Sequence, residues 1–291
     1  MILPEFELHR PGTLEEACGL LAQLGPAARV VAGGTDLLVD LKKGLKEAEH
    51  LVSLRKIAEL AAIAKDPDDT LRLGPMVTPN EIGHSPIVRE SHLAFAEAAL
   101  TMAAYQIRNR ATLGGNLVSA VPSADLPPTL IAMNARLVLI GNKGRREIAL
   151  EEFFTGPRET VLGRDEILAQ IVVPGPEPGT GAFYIKHGLR DASALAVVGV
   201  AALVILDGGV CRDARIVLGA VAPTPLLAKQ AGLALKGKKP DDKVLAQAAK
   251  IAAEEARPIS DLRGSADYRT ALTQVLAERA LRTALDRASS A

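Results

Sequence analysis

The stretch Val30–Gly44, VVAGGTDLLVDLKKG, sets two adjacent glycines, a threonine and an aspartate between two apolar segments. The first, ARVVAGG, reads as a short strand. The second has helical spacing from about Asp36 and closes at Gly44, since glycine is favoured just past a helix end. Paired glycines at such a junction mean that another group comes very close to the backbone, or that the turn takes a conformation a β-carbon forbids. A strand-to-helix turn also exposes successive N–H groups with the positive end of a helix dipole behind them, and phosphate oxygens are the natural guest. The pattern is neither G-x-G-x-x-G nor a Walker loop. On its own residues, a plain turn with Thr35 or Asp36 capping the helix accounts for it equally well.

A second stretch, IRNRATLGGNLVSAVPSADLPPTL (Ile107–Leu130), repeats the theme. Gly114 and Gly115 lie between Thr112 and Asn116, and Ser119, Ser123 and Asp125 follow. Such a run of small residues, in a chain otherwise full of leucine, is hard to explain as an ordinary loop. Asp125 stands where an N-cap belongs, ahead of Pro127 and Pro128 in a first helical turn. It is either that cap or a carboxylate that accepts from a sugar hydroxyl or an adenine amine.

Outward from these stretches, helices and strands alternate. TLEEACGLLAQL (from Thr13) carries a capping box and apolar residues at helical spacing. SHLAFAEAALTMAAYQI (from Ser91) places Leu93, Ala96, Leu100 and Ala103 on one helical face. ARLVLIGNKGRREIAL (from Ala135) is a hairpin, and EILAQIVVP a further strand. PGPEPGTG (Pro174–Gly181) cannot be the interior of any element and divides the chain. After it, GAFYIKHG reads as a strand, and ALAVVGVAALVIL with VCRDARIVLGAVA as a strand pair around DGG. Helices are expected over Thr224–Leu235, Asp241–Ala256 and Ala266–Arg287. In the last of these, Tyr268, Leu272, Val275, Leu276 and Leu285 share a face.

Bulk properties exclude several functions. The chain has 291 residues, enough for two domains. Aromatic residues are 3% of it, so stacking cannot be the main grip on a ligand. Lys plus Arg equals Asp plus Glu, 34 each, which gives no reason to expect a nucleic-acid or anionic-membrane surface. Cys18 and Cys211, distant from each other, cannot ligate an iron–sulfur cluster or form a four-ligand zinc site. None of His9, His50, His84, His92 and His187 makes a ligand spacing with another, so no metal site is expected; His187 draws notice only for its place beside Lys186. MILPEFELHRP lacks the basic head and apolar core of a signal peptide, and the apolar run Ala194–Leu206 is too short to span a bilayer. A soluble, cytoplasmic protein is expected.

Together, AGGTDLLVDLK and RNRATLGGNLVSAVPSADLPP resemble the flavin subunit of the molybdenum hydroxylases, the xanthine dehydrogenase and aerobic carbon monoxide dehydrogenase family. LPEFELHRPGTLEEA, FYIKHGLRDASALAVV, LGAVAPTPLLA and SDLRGSADYR match its other landmarks in order, so the resemblance covers nearly the whole chain. It implies an α+β protein with the FAD-binding fold of the vanillyl-alcohol oxidase and p-cresol methylhydroxylase type. Residues 1–175 would be the FAD-binding domain, with subdomains of about 1–56 and 57–175. Residues 182–291 would be a C-terminal domain of small antiparallel sheet with helices.

The resemblance also implies site residues. Val30, Val31, Ala32, Gly33, Gly34, Thr35, Asp36 and Leu37 would form a first pyrophosphate loop, using main-chain N–H groups and the Thr35 hydroxyl. Thr112, Leu113, Gly114, Gly115 and Asn116 would form a second. Asp125 would face the adenosine, Lys186 would lie close to the flavin ring, and Met102 and Leu168 would be apolar contacts. No residue of the chain would do acid–base chemistry on the primary substrate. The FAD would take electrons from [2Fe–2S] clusters of a small subunit, fed by a molybdopterin-binding large subunit, within a dimer of heterotrimers. They would pass to an acceptor such as NAD, a quinone or a ferredoxin.

The stretch HGLRDASALA departs from several relatives in carrying one arginine and small side chains where a loop faces the flavin, which leaves the acceptor open. The substrate, chosen by the partner, is equally open. The alternative is a stand-alone FAD-dependent reductase or oxidase on the same fold, such as the cell-wall precursor reductase; the chain lacks that enzyme's Asn-Ala-Gly-Ala-Tyr-Gly stretch.

Overall fold

The computed structural model describes residues 3–290, so Met1 and Ile2 of the N-terminal segment lie outside it. The first unit is a parallel sheet of β1 (Glu7–His9), β2 (Ala28–Val31) and β3 (His50–Ser53), in the order β1-β3-β2. Parallel neighbours need crossovers, and α1 (Leu14–Leu24) and α2 (Leu37–Lys42) supply them. Thr13 caps α1 by accepting from the Glu16 N–H, while the Glu16 carboxylate accepts from Gly12 N–H and not from Thr13. The box is therefore reciprocal one residue early. Leu14, Ala17, Cys18 and Leu21, at helical spacing, bury against the sheet.

The second unit is an antiparallel sheet. Its strands are β4 (Ile63–Lys65), β5 (Leu71–Leu73), β6 (Arg136–Gly141), β7 (Gly144–Ala149) and, after the short hairpin β8 (Phe154–Gly156) and β9 (Glu159–Thr160), β10 (Ile167–Val173). The order is β4-β5-β10-β6-β7, and β6–β7 is the hairpin expected from the Gly-Asn-Lys-Gly turn. Helices α3 (Pro79–His84), α4 (Pro86–Ser91), α5 (Leu93–Thr101), α6 (Tyr105–Arg108), α7 (Leu113–Val118) and α8 (Leu126–Ala132) lie between β5 and β6 in the chain.

The single helix expected from Ser91 is broken. It stops at Thr101 and restarts at Tyr105, with Ala103 at φ +46° between them. The Arg108 guanidinium explains the stop: it donates to the Met102 carbonyl at 2.8 Å and to Asn80 at 3.0 Å. Of the expected face, Ala96 is buried but Leu93 is exposed.

The third unit has β11 (Thr180–His187), β12 (Val198–Asp207), β13 (Val210–Gly219) and β14 (Leu226–Leu227), antiparallel in chain order. Helices α9 (Lys229–Leu235), α10 (Asp242–Glu255) and α11 (Ala266–Ser290) cover it. The expected helix from Thr224 begins only at Lys229, because Leu226 and Leu227 pair with β13. The buried face of α11 also differs from expectation. It runs through Arg269, Thr273, Leu276, Ala277, Ala280, Leu281, Ala284 and Ala288, whereas Tyr268 and Val275 are exposed. Alanines let the helix come close to the sheet: a β-carbon on Gly181 of β11 would overlap the backbone of Ala284 and Ala288. Among the described residues no helix is long and apolar enough to cross a membrane.

Candidate functional site

The two glycine stretches, far apart in sequence, meet. A β-carbon built on Gly33 would overlap the Arg110 carbonyl oxygen, so the first loop packs directly on the backbone that enters the second. Gly34 has φ +78°, the left-handed region that side chains disfavour. One glycine of the pair is thus required by close approach and the other by conformation. Gly114 repeats the first case, since its β-carbon would lie 2.5 Å from that of Pro75. Gly115 differs: only the Thr112 hydroxyl, at 2.9 Å, stands in the way of a β-carbon there.

Between the two loops is a cavity of about 750 Å³, within the range of sites for drug-sized and cofactor-sized molecules. Val30, Ala32 to Leu37, Met102, Thr112, Gly114, Gly115, Asn116, Asp125 and Leu168 line it. Val31, Leu113 and Lys186 do not. Val31 packs in a small cluster with Leu41 and Leu51, and Leu113 is core. The sequence did not mark Pro75 and Met76, or Leu162 to Arg164 with Glu166 and Ile167, which also line the cavity. Nothing in their composition marks them; the turn after β5 and the approach to β10 bring them there.

The two loops offer different chemistry. The N–H groups of Gly33, Gly34, Thr35 and Asp36 find no protein acceptor among the described residues, and successive free donors form an anion-binding concavity. Asp36 stands at the start of α2 but its side chain makes no capping bond. With six residues α2 adds little dipole, so the free donors carry the attraction. In the second stretch the donors are spent. Leu113 N–H donates to Val77, Gly114 N–H to Pro75, Gly115 N–H to the Thr112 hydroxyl and Asn116 N–H to the Thr112 carbonyl. The second loop therefore gives shape, and its open polar atom is Asn116 Oδ1, buried with no hydrogen-bond partner. Such an atom costs on the order of 1–3 kcal/mol unless a ligand satisfies it.

Asp125 does not cap α8: it occupies the N-cap position but makes no side-chain capping bond. One carboxylate oxygen accepts from the Tyr184 hydroxyl at 3.0 Å and the other from Lys186 Nζ at 2.7 Å. Lys186 also donates to the Thr101 carbonyl at 3.2 Å. The side chain of this lysine is largely buried and stands behind Asp125. Burial pushes the Asp125 carboxyl above its ordinary value, and the Lys186 ammonium pulls it back. Burial also drives the Tyr184 phenol far above its usual value, with the Asp125 charge adding to the effect.

Ser193, Ala194 and Leu195, from the small-residue loop after β11, close another side of the cavity. Ser193 holds φ +55° and donates its N–H to the Ala103 carbonyl at 3.3 Å. His187 does not line the cavity, and its Nε2 lies 3.4 Å from the Tyr268 hydroxyl. Two histidines without a ligand spacing in the sequence meet in the fold. His9 Nε2 and His50 Nδ1, 41 residues apart, lie 3.1 Å from each other.

Residues 4–176 match the family model described as the FAD binding domain in molybdopterin dehydrogenase. Residues 183–284 match the carbon monoxide dehydrogenase flavoprotein C-terminal domain. The chain is 38% identical to the carbon monoxide dehydrogenase medium chain of Hydrogenophaga pseudoflava over 284 residues, 98% of each protein. It is 32% identical to the putative xanthine dehydrogenase FAD-binding subunit of Escherichia coli over 278 residues, 95% of each. Carbon monoxide dehydrogenase from H. pseudoflava superposes with a TM-score of 0.96 at 39% identity, covering 99% of both chains. Quinoline 2-oxidoreductase from Pseudomonas putida superposes at 0.93 with 32% identity, again covering 99% of both. The cavity fits the cofactor these similarities imply: consecutive free donors suit a pyrophosphate, and the lone Asn116 oxygen suits a donor on the ligand.

Proposed function

This chain belongs to the FAD-binding medium subunits of the molybdenum hydroxylases, and on that premise we propose that it relays electrons between a cluster-bearing partner and an external acceptor. Its fold is the FAD-binding fold of the vanillyl-alcohol oxidase and p-cresol methylhydroxylase type with a C-terminal domain, and it is a subunit of an FAD-dependent oxidoreductase. In our division, residues 1–175 bind the cofactor, as subdomains of about 1–56 and 57–175, and residues 182–291 form the C-terminal domain.

The observation that carries the proposal is the run of four unpaired N–H groups on the cavity wall from Gly33 to Asp36. These donors and the Thr35 hydroxyl hold the pyrophosphate. Charge-assisted bonds of this kind are roughly twice as strong as neutral ones. Asn116 Oδ1 accepts from the ligand, and Met102 and Leu168 exclude water from its apolar parts. Asp125 lines the cavity and ties its wall to β11 through Tyr184 and Lys186, and each engaged oxygen keeps a second lone pair with which to face the adenosine. When bound, the isoalloxazine supplies the redox chemistry and the protein supplies binding, orientation and electrostatics.

In the assembly we propose, a molybdopterin-binding large subunit oxidises the substrate. A small subunit with two [2Fe–2S] clusters delivers the electrons, and NAD, a quinone or a ferredoxin removes them. A dimer of heterotrimers in the cytoplasm is the expected form. Both cysteines are buried free thiols, as a reducing compartment allows. Isolation of the tagged chain from its own cells tests this. Two co-purifying subunits with molybdenum, iron and FAD in fixed ratio support the proposal. A lone flavoprotein that turns over substrate by itself refutes it.

A further inference from the structure

We propose that Glu7, His9 and His50 form a binding site for a divalent transition-metal ion, Zn²⁺ in the first instance, apart from the cofactor cavity. The sheet places them together. Glu7 and His9 are two residues apart on β1 and so project to one face. β1 pairs in parallel with β3, with Glu7 opposite His50, which brings the second imidazole to that face. Among the described residues this is the one group of three potential ligand side chains whose donor atoms lie within 4.8 Å of one another.

The separations bracket those that a metal ion requires. His9 Nε2 is 3.1 Å from His50 Nδ1, and Glu7 Oε2 is 3.4 Å from His50 Nδ1 and 3.9 Å from His9 Nε2. Zinc–nitrogen and zinc–oxygen bonds of about 2.0–2.2 Å put tetrahedral ligands about 3.3–3.6 Å apart. A circle through the three donor atoms has a radius of about 2.0 Å, so an ion near its centre makes ordinary bonds to all three. A hydrogen bond between the imidazoles explains one of these distances. It does not explain why a carboxylate also converges on both rings.

Two imidazoles and a carboxylate suit Zn²⁺, Cu²⁺ or Ni²⁺ and are a poor match for Mg²⁺ or Ca²⁺. The imidazoles are the better-held ligands, 18% and 24% exposed, while Glu7 at 67% leaves its side open to water as a fourth ligand. β1 is an edge strand of only three residues. A bound ion would cross-link it to β3 and fasten the N-terminal strand to the first subdomain. None of the three ligands lines the cavity, so the site is separable from flavin binding.

The test uses the full FAD-loaded chain, purified without a polyhistidine tag, stripped with a chelator and titrated calorimetrically with Zn²⁺. One ion per chain is expected. His9→Gln, His50→Gln and Glu7→Gln should each weaken binding by at least about tenfold without changing flavin content. Zn²⁺ should raise the melting temperature of the wild type and not of His9→Gln. Because Glu7 is exposed, Glu7→Gln remains informative even where a histidine variant folds poorly. Absence of stoichiometric binding would overturn the proposal, as would an affinity unchanged in Glu7→Gln and His9→Gln; His9 and His50 would then be a hydrogen-bonded pair only.

Discussion

Lys186 Nζ and Asp125 Oδ2 lie 2.7 Å apart, and the two side chains keep only 9% and 6% of their exposure. The pair ties the second glycine stretch to β11 just behind the cavity wall. Removing one partner from a buried ion pair leaves an uncompensated charge, at a cost of about 3–5 kcal/mol. Lys186→Met should therefore lower the stability measured by urea unfolding by that amount. Tyr184→Phe, which removes one neutral donor, should cost about 1–3 kcal/mol. In a double-mutant cycle Asp125→Asn should recover part of the Lys186→Met loss. Additive losses would show that the two groups act independently.

Gly33 should not accept a side chain. Its β-carbon would overlap the Arg110 carbonyl, so Gly33→Ala must push the two loops apart. Overpacking of this kind costs about 1–3 kcal/mol. The same displacement disturbs the free donors of Gly33–Asp36. Gly33→Ala should thus lose FAD at protein concentrations where the wild type is saturated, with thermal unfolding showing a folded chain. Gly12→Ala, where a β-carbon meets only the end of the Glu16 side chain at 3.9 Å, should change neither.

His92 makes stability depend on pH. Its Nε2 lies 2.9 Å from the Pro174 carbonyl, which can only accept, so that nitrogen carries the proton. Nδ1 then accepts from the Ser91 hydroxyl, also at 2.9 Å. Burial holds the ring below its ordinary value of 6.5. The folded state therefore binds fewer protons than the unfolded chain once the pH drops below 6.5. Its stability is intact above that value and is lost progressively as pH falls through the lower folded value. A decline in stability between neutral and mildly acidic pH is expected. His92→Gln, which does not titrate there, should flatten that part of the profile.

Local chemistry was legible where one residue decides one conformation. Gly33 and Gly34 announced a close approach and a left-handed turn, the strand pair around DGG announced a hairpin, and the proline-rich segment announced the break between β10 and β11, although Thr180 and Gly181 already belong to β11. What stayed hidden depends on partners distant in sequence. Arg108 ends α5 by reaching back to the Met102 carbonyl, so a run with good helical periodicity breaks at Ala103. The Thr112–Asn116 donors resembled the first loop's, yet Pro75 and Val77 take two of them from outside the motif. Periodicity put Tyr268 and Val275 inside, but α11 packs through its alanines and carries a buried Arg269 that bonds Asp261 and the Ala220 carbonyl. His9 and His50 meet only because β1 and β3 pair in parallel.

The most direct test of the cofactor site is an FAD titration of the purified wild-type chain beside Gly115→Asp, followed by flavin fluorescence with circular dichroism as the control for folding. Gly115 lines the cavity and has only the Thr112 hydroxyl near its missing β-carbon, so the substitution brings a negative charge into the cavity whose other loop holds the anion. One FAD per wild-type chain, and binding weaker by at least about a hundredfold in the folded variant, roughly 2.7 kcal/mol, is the predicted result. Equal FAD affinity in the two proteins would contradict it and place the flavin outside the cavity between the glycine loops.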